Sequence, residues 1–401
     1  MTLRATCFFA LAGIGTAGAA SATEWPSTQV TVSPSLSNST LGVTSNNAVV
    51  DPEGRVHLVY QENVGGNRSE VLYVAREPNG TWGVSPIHLS PPGTNARNAS
   101  IARDPEGRLH VLWEDATQED EEVGHVMRQA DGTWMEPEFV APAPGSSLFP
   151  VGAVDSFGRL HVVWIDTRNS VQRVLHAVWS DNSGWTGPQA LSIGGISPQD
   201  VTIDADQLGG VHILWSDRVP SDPNNPVWSI FYVRLDVAAA AIPPPVVLVQ
   251  GQGLALRPFL EAKDDGTLHL VWLDDRAASR LASFEIFYKR FLPGIGWGRI
   301  KRFTYDITNH GRPVIVAGAG ESLNLVWEDY RGGPPDILYR QITPEKGWER
   351  EATPLTTDIT SSQDPTLVSL PNGNLLLIWS DSQETGTFRI LAKEGSAVSG
   401  S

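Results

Sequence analysis

The chain has 401 residues, with 38 Gly, 14 Trp, a single Cys and a formal net charge of −16. A field of that sign repels phosphate backbones and argues against nucleic acid as a partner, and one cysteine rules out a disulfide framework within the chain. Beyond the N-terminus no run is long and apolar enough to cross a bilayer, so no transmembrane segment is expected.

Taken in order, residues 1–22 read as a secretory signal peptide. Arg4 forms a short basic region, an apolar stretch runs from Cys7 to Ala20, and the small residues "ASA" precede Thr23. The remaining chain, 23–401, is expected to be secreted or periplasmic and free of thiols. Its first segment, "EWPSTQVTVSP" (Glu24 to Pro34), matches "TWGVSPIHLSP" (Thr81 to Pro91), a tryptophan followed by a short polar strand.

From there one pattern recurs seven times: "EGRVHLVYQE", "EGRLHVLWED", "FGRLHVVWID", "GGVHILWSD", "DGTLHLVWLD", "ESLNLVWED" and "NGNLLLIWSD". The aromatic anchors are Tyr60, Trp113, Trp164, Trp215, Trp272, Trp327 and Trp379, spaced by 53, 51, 51, 57, 55 and 52 residues. Within each unit an apolar strand leads through a turn into this motif strand. A third strand follows, such as "VLYVAR" or "IFYKRF", and then in most units a Gly-Trp turn and a more polar fourth strand. Four short strands per unit with no helical periodicity predict an all-β, seven-bladed β-propeller of four-stranded blades. The seventh unit ends after three strands, so the N-terminal strand is expected to complete the last blade, which leaves no open edge. One propeller domain then spans 23–401.

The repeated His57, His110, His161, His212 and His269 alternate with the apolar positions and face a neighbouring blade. A catalyst is needed once and a packing device once per blade, so these rings are expected to be hydrogen-bonded framework. After each tryptophan comes a polar signature, as in "WIDTR", "WSDR", "WLDDR" and "WEDYR". Antiparallel pairing puts it at the same end of the axis as the starts of the first strands. The candidates for ligand contact there are Arg97, Arg257, Arg276, Arg312, Arg331, Asp274 and Asp329, with His310 and Tyr330 as candidate catalytic groups. His310, Tyr330, Arg257 and Arg312 are features most repeats lack. The acidic stretch "QEDEEV" (Gln118 to Val123) reads as a solvated tip, with a calcium site there as the open alternative; with no nucleotide, dinucleotide or metalloprotease motif, no cofactor is expected and no metal ligand is assigned.

The pattern D-x-x-G-x-x-H-x-x-W-x-D-x-R, with its Gly-Thr-Trp turns "ADGTW" and "PNGTW", resembles the sialidase-like, BNR-type repeat propellers of secreted bacterial proteins. The resemblance spans the mature chain. Sialidases have six blades, and their catalytic residues have no counterparts identifiable here, so it transfers no site residue. It implies recognition of a glycan, such as an acidic polysaccharide, at the axial rim; separately, a monomer is expected. Three readings stay open: a hydrolase using a carboxylate pair such as Asp274 and Asp329, a polysaccharide lyase using His310 or Tyr330 beside Arg257 and Arg312, and a non-catalytic protein-interaction scaffold at the surface or in the periplasm.

Overall fold

The computed structural model describes residues 23–33, 38–192, 197–219, 227–238, 241–277, 283–306, 308–318, 322–343, 347–348, 351–357, 359–383 and 386–397. Residues 1–22, expected above to be a signal peptide, lie outside the described residues. Strands of the described residues form seven antiparallel sheets, one per repeat, and none of their helices is long and apolar enough to cross a membrane.

Each sheet is a blade. Blade two shows the plan: Ala96–Arg103 lies innermost, followed outward by Leu109–Asp115, Glu122–Arg128 and Glu138–Phe139. The inner strand of every blade touches those of both neighbours, and Ser362–Ser369 of blade seven meets Ala48–Val50 of blade one, which closes the ring. The N-terminal strand Val30–Thr31 pairs antiparallel with Phe388–Ala397 at Ala392 and Leu391. Val32 N–H donates to the Ile390 carbonyl (2.8 Å), and the Val32 side chain enters the core between blades seven and one.

The apolar residues of the motif strands divide by parity between the two faces of a blade, as a period of two requires. Leu109, Val111 and Trp113 pack on blade one, and Leu112 on blade three. The described residues form seven buried clusters, and each joins two adjacent blades. The six anchor tryptophans are at most 1 % exposed. Burial of each stabilises its blade interface by roughly 1.5–3 kcal/mol or more.

His161 and His212, two of the repeated histidines, bridge two elements of their own blade. Tyr232 Oη donates to His212 Nδ1 (2.8 Å) while Nε2–H donates to Asp206 Oδ2 (3.0 Å) in the turn that precedes the strand. His161 spans Asp155 and His176 in the same way, at 3.0 Å to each. His57 and His269 hold the third-strand hydroxyls of Tyr73 and Tyr288. Burial depresses His57 and His269 to about 4, so at neutral pH these rings are uncharged crosslinks.

Candidate functional site

The end of the axis where the polar signatures lie is shaped by one local irregularity repeated around the ring. In blades two to seven the inner strand slips register just after its start, for example between Arg97 and Ser100 and between Leu256 and Phe259. At the slip a non-glycine residue adopts a left-handed backbone: Asn98, Phe149, Asp200, Arg257, Arg312 and Asp364, with φ between 35° and 55°. Ser45 of blade one, at φ 60°, falls at the corresponding spacing. Such a conformation costs an L-residue about 1–2 kcal/mol; repeated around the ring it is part of the framework, and at each blade it re-aims one side chain.

Neighbouring blades hold the slips in place. The bulge amide of Asn98 donates to Gln61 Oε1 (2.7 Å), that of Arg257 to Asp200 Oδ2 (3.1 Å) and that of Asp364 to Glu328 Oε1 (2.9 Å). Glu114 and Glu328 follow the anchor tryptophan directly. Glu114 accepts from the bulge amide of Phe149 in blade three (3.3 Å) as Glu328 does from that of Asp364, so both stitch one blade to the next.

Five of the seven bulge residues, Ser45, Phe149, Asp200, Arg257 and Arg312, line a cavity of about 440 Å³ at this mouth. Its wall is otherwise largely apolar, with Ile165, Val201, Phe259, Pro198, Pro258 and Pro313. The size falls within the roughly 300–1,000 Å³ of small-ligand sites. Among the described residues none gives the exposed Arg257 guanidinium an ion pair or hydrogen bond. Arg312 crosses to blades seven and one, with Nη1 2.8 Å from Asp364 Oδ1 and 3.1 Å from the Val43 carbonyl. Burial raises the Asp200 carboxyl against the pull of Arg257, and raises Asp364 to about 6 against that of Arg312.

The other candidates lie around this cavity rather than in its wall. Tyr330 is 39 % exposed and donates from Oη to Glu328 Oε2 (2.9 Å); burial and that carboxylate push the phenol up to about 12, so it stays protonated at neutral pH. Arg97 donates to Glu114 and Glu121. Asp274 and Asp329 are at most 1 % exposed and bind their own turns: Arg276 Nη2 donates to Asp274 (2.6 Å) and Arg331 Nε to Asp329 (2.6 Å). Trp272 Nε1 also donates to Asp274 (3.0 Å). His310 is enclosed between Asp306, Asp329 and Glu285. The acidic stretch clasps the next connection, with Glu122 accepting from Ala143 N–H and Asp120 from Gly145 N–H.

A second cavity of about 490 Å³ runs along the axis beyond the mouth. Asp204 and Glu261 line it at a register position where the other five blades carry Ala or Val. Burial raises Asp204 to about 6 and Glu261 to about 8, the latter also repelled by Asp204. Sequence reading passed over Asp200, Phe149, Asp204 and Glu261. A signal existed for the last two: acids at an otherwise apolar repeat position.

No protein-family model and no curated protein sequence matches the chain. Solved structures do. An ulvan lyase, a polysaccharide lyase bound to a GlcA(1-4)Rha3S unit, matches with a TM-score of 0.61 and 11% identity over 91% of this chain and 95% of its own. The polysaccharide lyase Uly1 matches at 0.58, with 11% identity over 89% of this chain and 90% of its own. An α-L-arabinanase of Penicillium chrysogenum, solved with arabinobiose, matches at 0.52, with 13% identity over 94% and 96%. At such identities the likeness is one of fold, and that fold is the propeller the sequence pattern implies.

Proposed function

We propose that the protein binds an acidic glycan at the axial mouth, with Arg257 and Arg312 taking its carboxylate or sulfate groups and Phe149 and Phe259 taking the apolar face of a sugar ring. The observation that carries this reading is Arg257: an exposed guanidinium without a partner among the described residues, held on a strained backbone at the rim of an apolar cavity. A planar fork of donors in that place suits a carboxylate or sulfate, which it can grip with two parallel hydrogen bonds. Arg312 supplies a second positive charge from the next blade, already oriented by Asp364. The propeller lyase and arabinanase above act on polysaccharides, which supports a glycan as the ligand class. Export through residues 1–22 would bring the site to such polymers.

Titration calorimetry with a uronate-containing or sulfated oligosaccharide, against a neutral arabino-oligosaccharide, tests the reading. Tighter binding of the acidic ligand, weakened by salt and by Arg257→Ala and Arg312→Ala, is expected. Equal binding of both ligands, or variants indistinguishable from the parent, would sink it. Incubating the same glycan with the protein and following ultraviolet absorbance and reducing ends distinguishes catalysis from binding alone. An unsaturated product marks a lyase, new reducing ends without it a hydrolase.

A further inference from the structure

Beside the mouth, between blades five and six, Glu285, Asp306 and His310 place one carboxylate oxygen or ring nitrogen each within 4.8 Å of one another. We propose that they hold a divalent transition-metal cation, with zinc the best fit, that clamps blade five to blade six.

The His310 ring is wholly buried, edge-on to the Trp327 indole on one side and with three carboxylates around its nitrogens. Nε2 stands 2.9 Å from Asp306 Oδ1 and 3.8 Å from Glu285 Oε2, and Nδ1 stands 3.3 Å from Asp329 Oδ2. Both acids lie within ion-pair range, but neither ring N–H is directed squarely at a carboxylate oxygen. A buried imidazolium lodged among acids would be expected to aim its N–H groups at them. Around an ion with bonds of about 2.1 Å, ligand atoms at right angles stand about 3.0 Å apart and tetrahedral ones about 3.4 Å apart. The two Nε2 separations bracket those values.

The carboxylates are prepared for the role from outside. Arg302 Nη2 holds Glu285 by Oε1 (2.6 Å) and Arg331 Nη2 holds Asp306 by Oδ2 (3.1 Å); the other oxygen of each faces His310 and also accepts from a hydroxyl, Thr304 on Glu285 Oε2 (2.5 Å) and Thr308 on Asp306 Oδ1 (2.7 Å). Asp329, 3.3 Å from Nδ1, is placed to act as the outer carboxylate of a histidine ligand once the ring turns its Nδ1–H toward it. Comparison with other blades isolates what is new. At the position of His310, blades three and seven have Ser147 and Ser362, whose hydroxyls donate to Asp166 (3.1 Å) and Asp381 (3.0 Å). His310 keeps that approach to the signature aspartate and adds a second nitrogen pointing away from it. One imidazole and two carboxylates suit zinc, whereas calcium takes oxygen ligands in larger number. Two residues along the strand lies Arg312, so the ion would fix the segment that presents it.

The test is equilibrium dialysis of chelator-treated full-length protein against zinc chloride, read by elemental analysis together with the thermal midpoint. One equivalent of zinc per chain is expected, with a rise in midpoint that calcium chloride does not reproduce. Asp306→Asn and His310→Gln should each weaken zinc binding about tenfold or more. If His310→Gln does not fold, Asp306→Asn, in a half-exposed turn, carries the test. Less than a tenth of an equivalent bound by the parent, or undiminished binding by Asp306→Asn, would overturn the proposal. The readout needs no glycan, so it stands or falls separately from the function of the mouth.

Discussion

Glu261→Gln should stabilise the propeller at alkaline pH and do little at acid pH. In the folded channel the Glu261 carboxyl is raised from 4.5 to about 8, by burial first and then by Asp204. A raised acid means that between those values the native state keeps a proton the unfolded chain has released. Stability therefore falls as pH rises through that window and levels off above it. At about 1.4 kcal/mol per unit, the shift of roughly three and a half units sets a ceiling of about 5 kcal/mol. Water entering the half-buried channel reduces that, and about 2–3 kcal/mol is a reasonable expectation. Glutamine preserves the shape and can still accept from Ala317 N–H, as Glu261 Oε1 does at 3.2 Å. Urea unfolding of parent and variant at pH 4.5 and pH 8.5 measures the difference directly. A gain for the variant of the same size at both pH values would refute the reasoning, since it would owe nothing to ionisation.

Arg257→Gly separates strain from function: removing a left-handed arginine should raise the unfolding free energy by about 1 kcal/mol while glycan binding is lost, and a variant both less stable and still binding would contradict the assignment. Deleting residues 28–33 removes the strand that pairs with Phe388–Ala397 and the Val32 side chain from the core; a fall in melting temperature far beyond that of an ordinary tail truncation is expected, and an unchanged midpoint in calorimetry argues that the ring closes without it. His212→Ala breaks the bridge between Asp206 and Tyr232 and leaves a void, at a cost on the order of 1–3 kcal/mol, with ligand affinity at the mouth unchanged; lost affinity at undiminished stability would reverse the framework reading of these histidines.

Blade number and the framework role of the repeats were legible in the chain because both are linear properties. Anchors from Tyr60 to Trp379 recur at blade spacing, and a period of two divides Leu109, Val111 and Trp113 from His110 and Leu112 without knowledge of any partner. The same logic marked Arg257 and Arg312 as departures from a repeat. Which departures share a cavity was a different matter. Arg312 and His310 are two residues apart, and plain alternation would send both to one side. The register slip between Gly311 and Val314 turns Arg312 into the mouth and leaves His310 among Asp306, Asp329 and Glu285. No glycine flags the left-handed turn at Asn98, Phe149, Asp200, Arg257, Arg312 or Asp364, because the conformation is imposed by neighbouring blades and not by local preference. Seven repeats of strand and turn follow from the order of residues alone. The mouth and its buried histidine follow from how seven blades crowd their first strands around one axis, a constraint that exists only once the ring is closed.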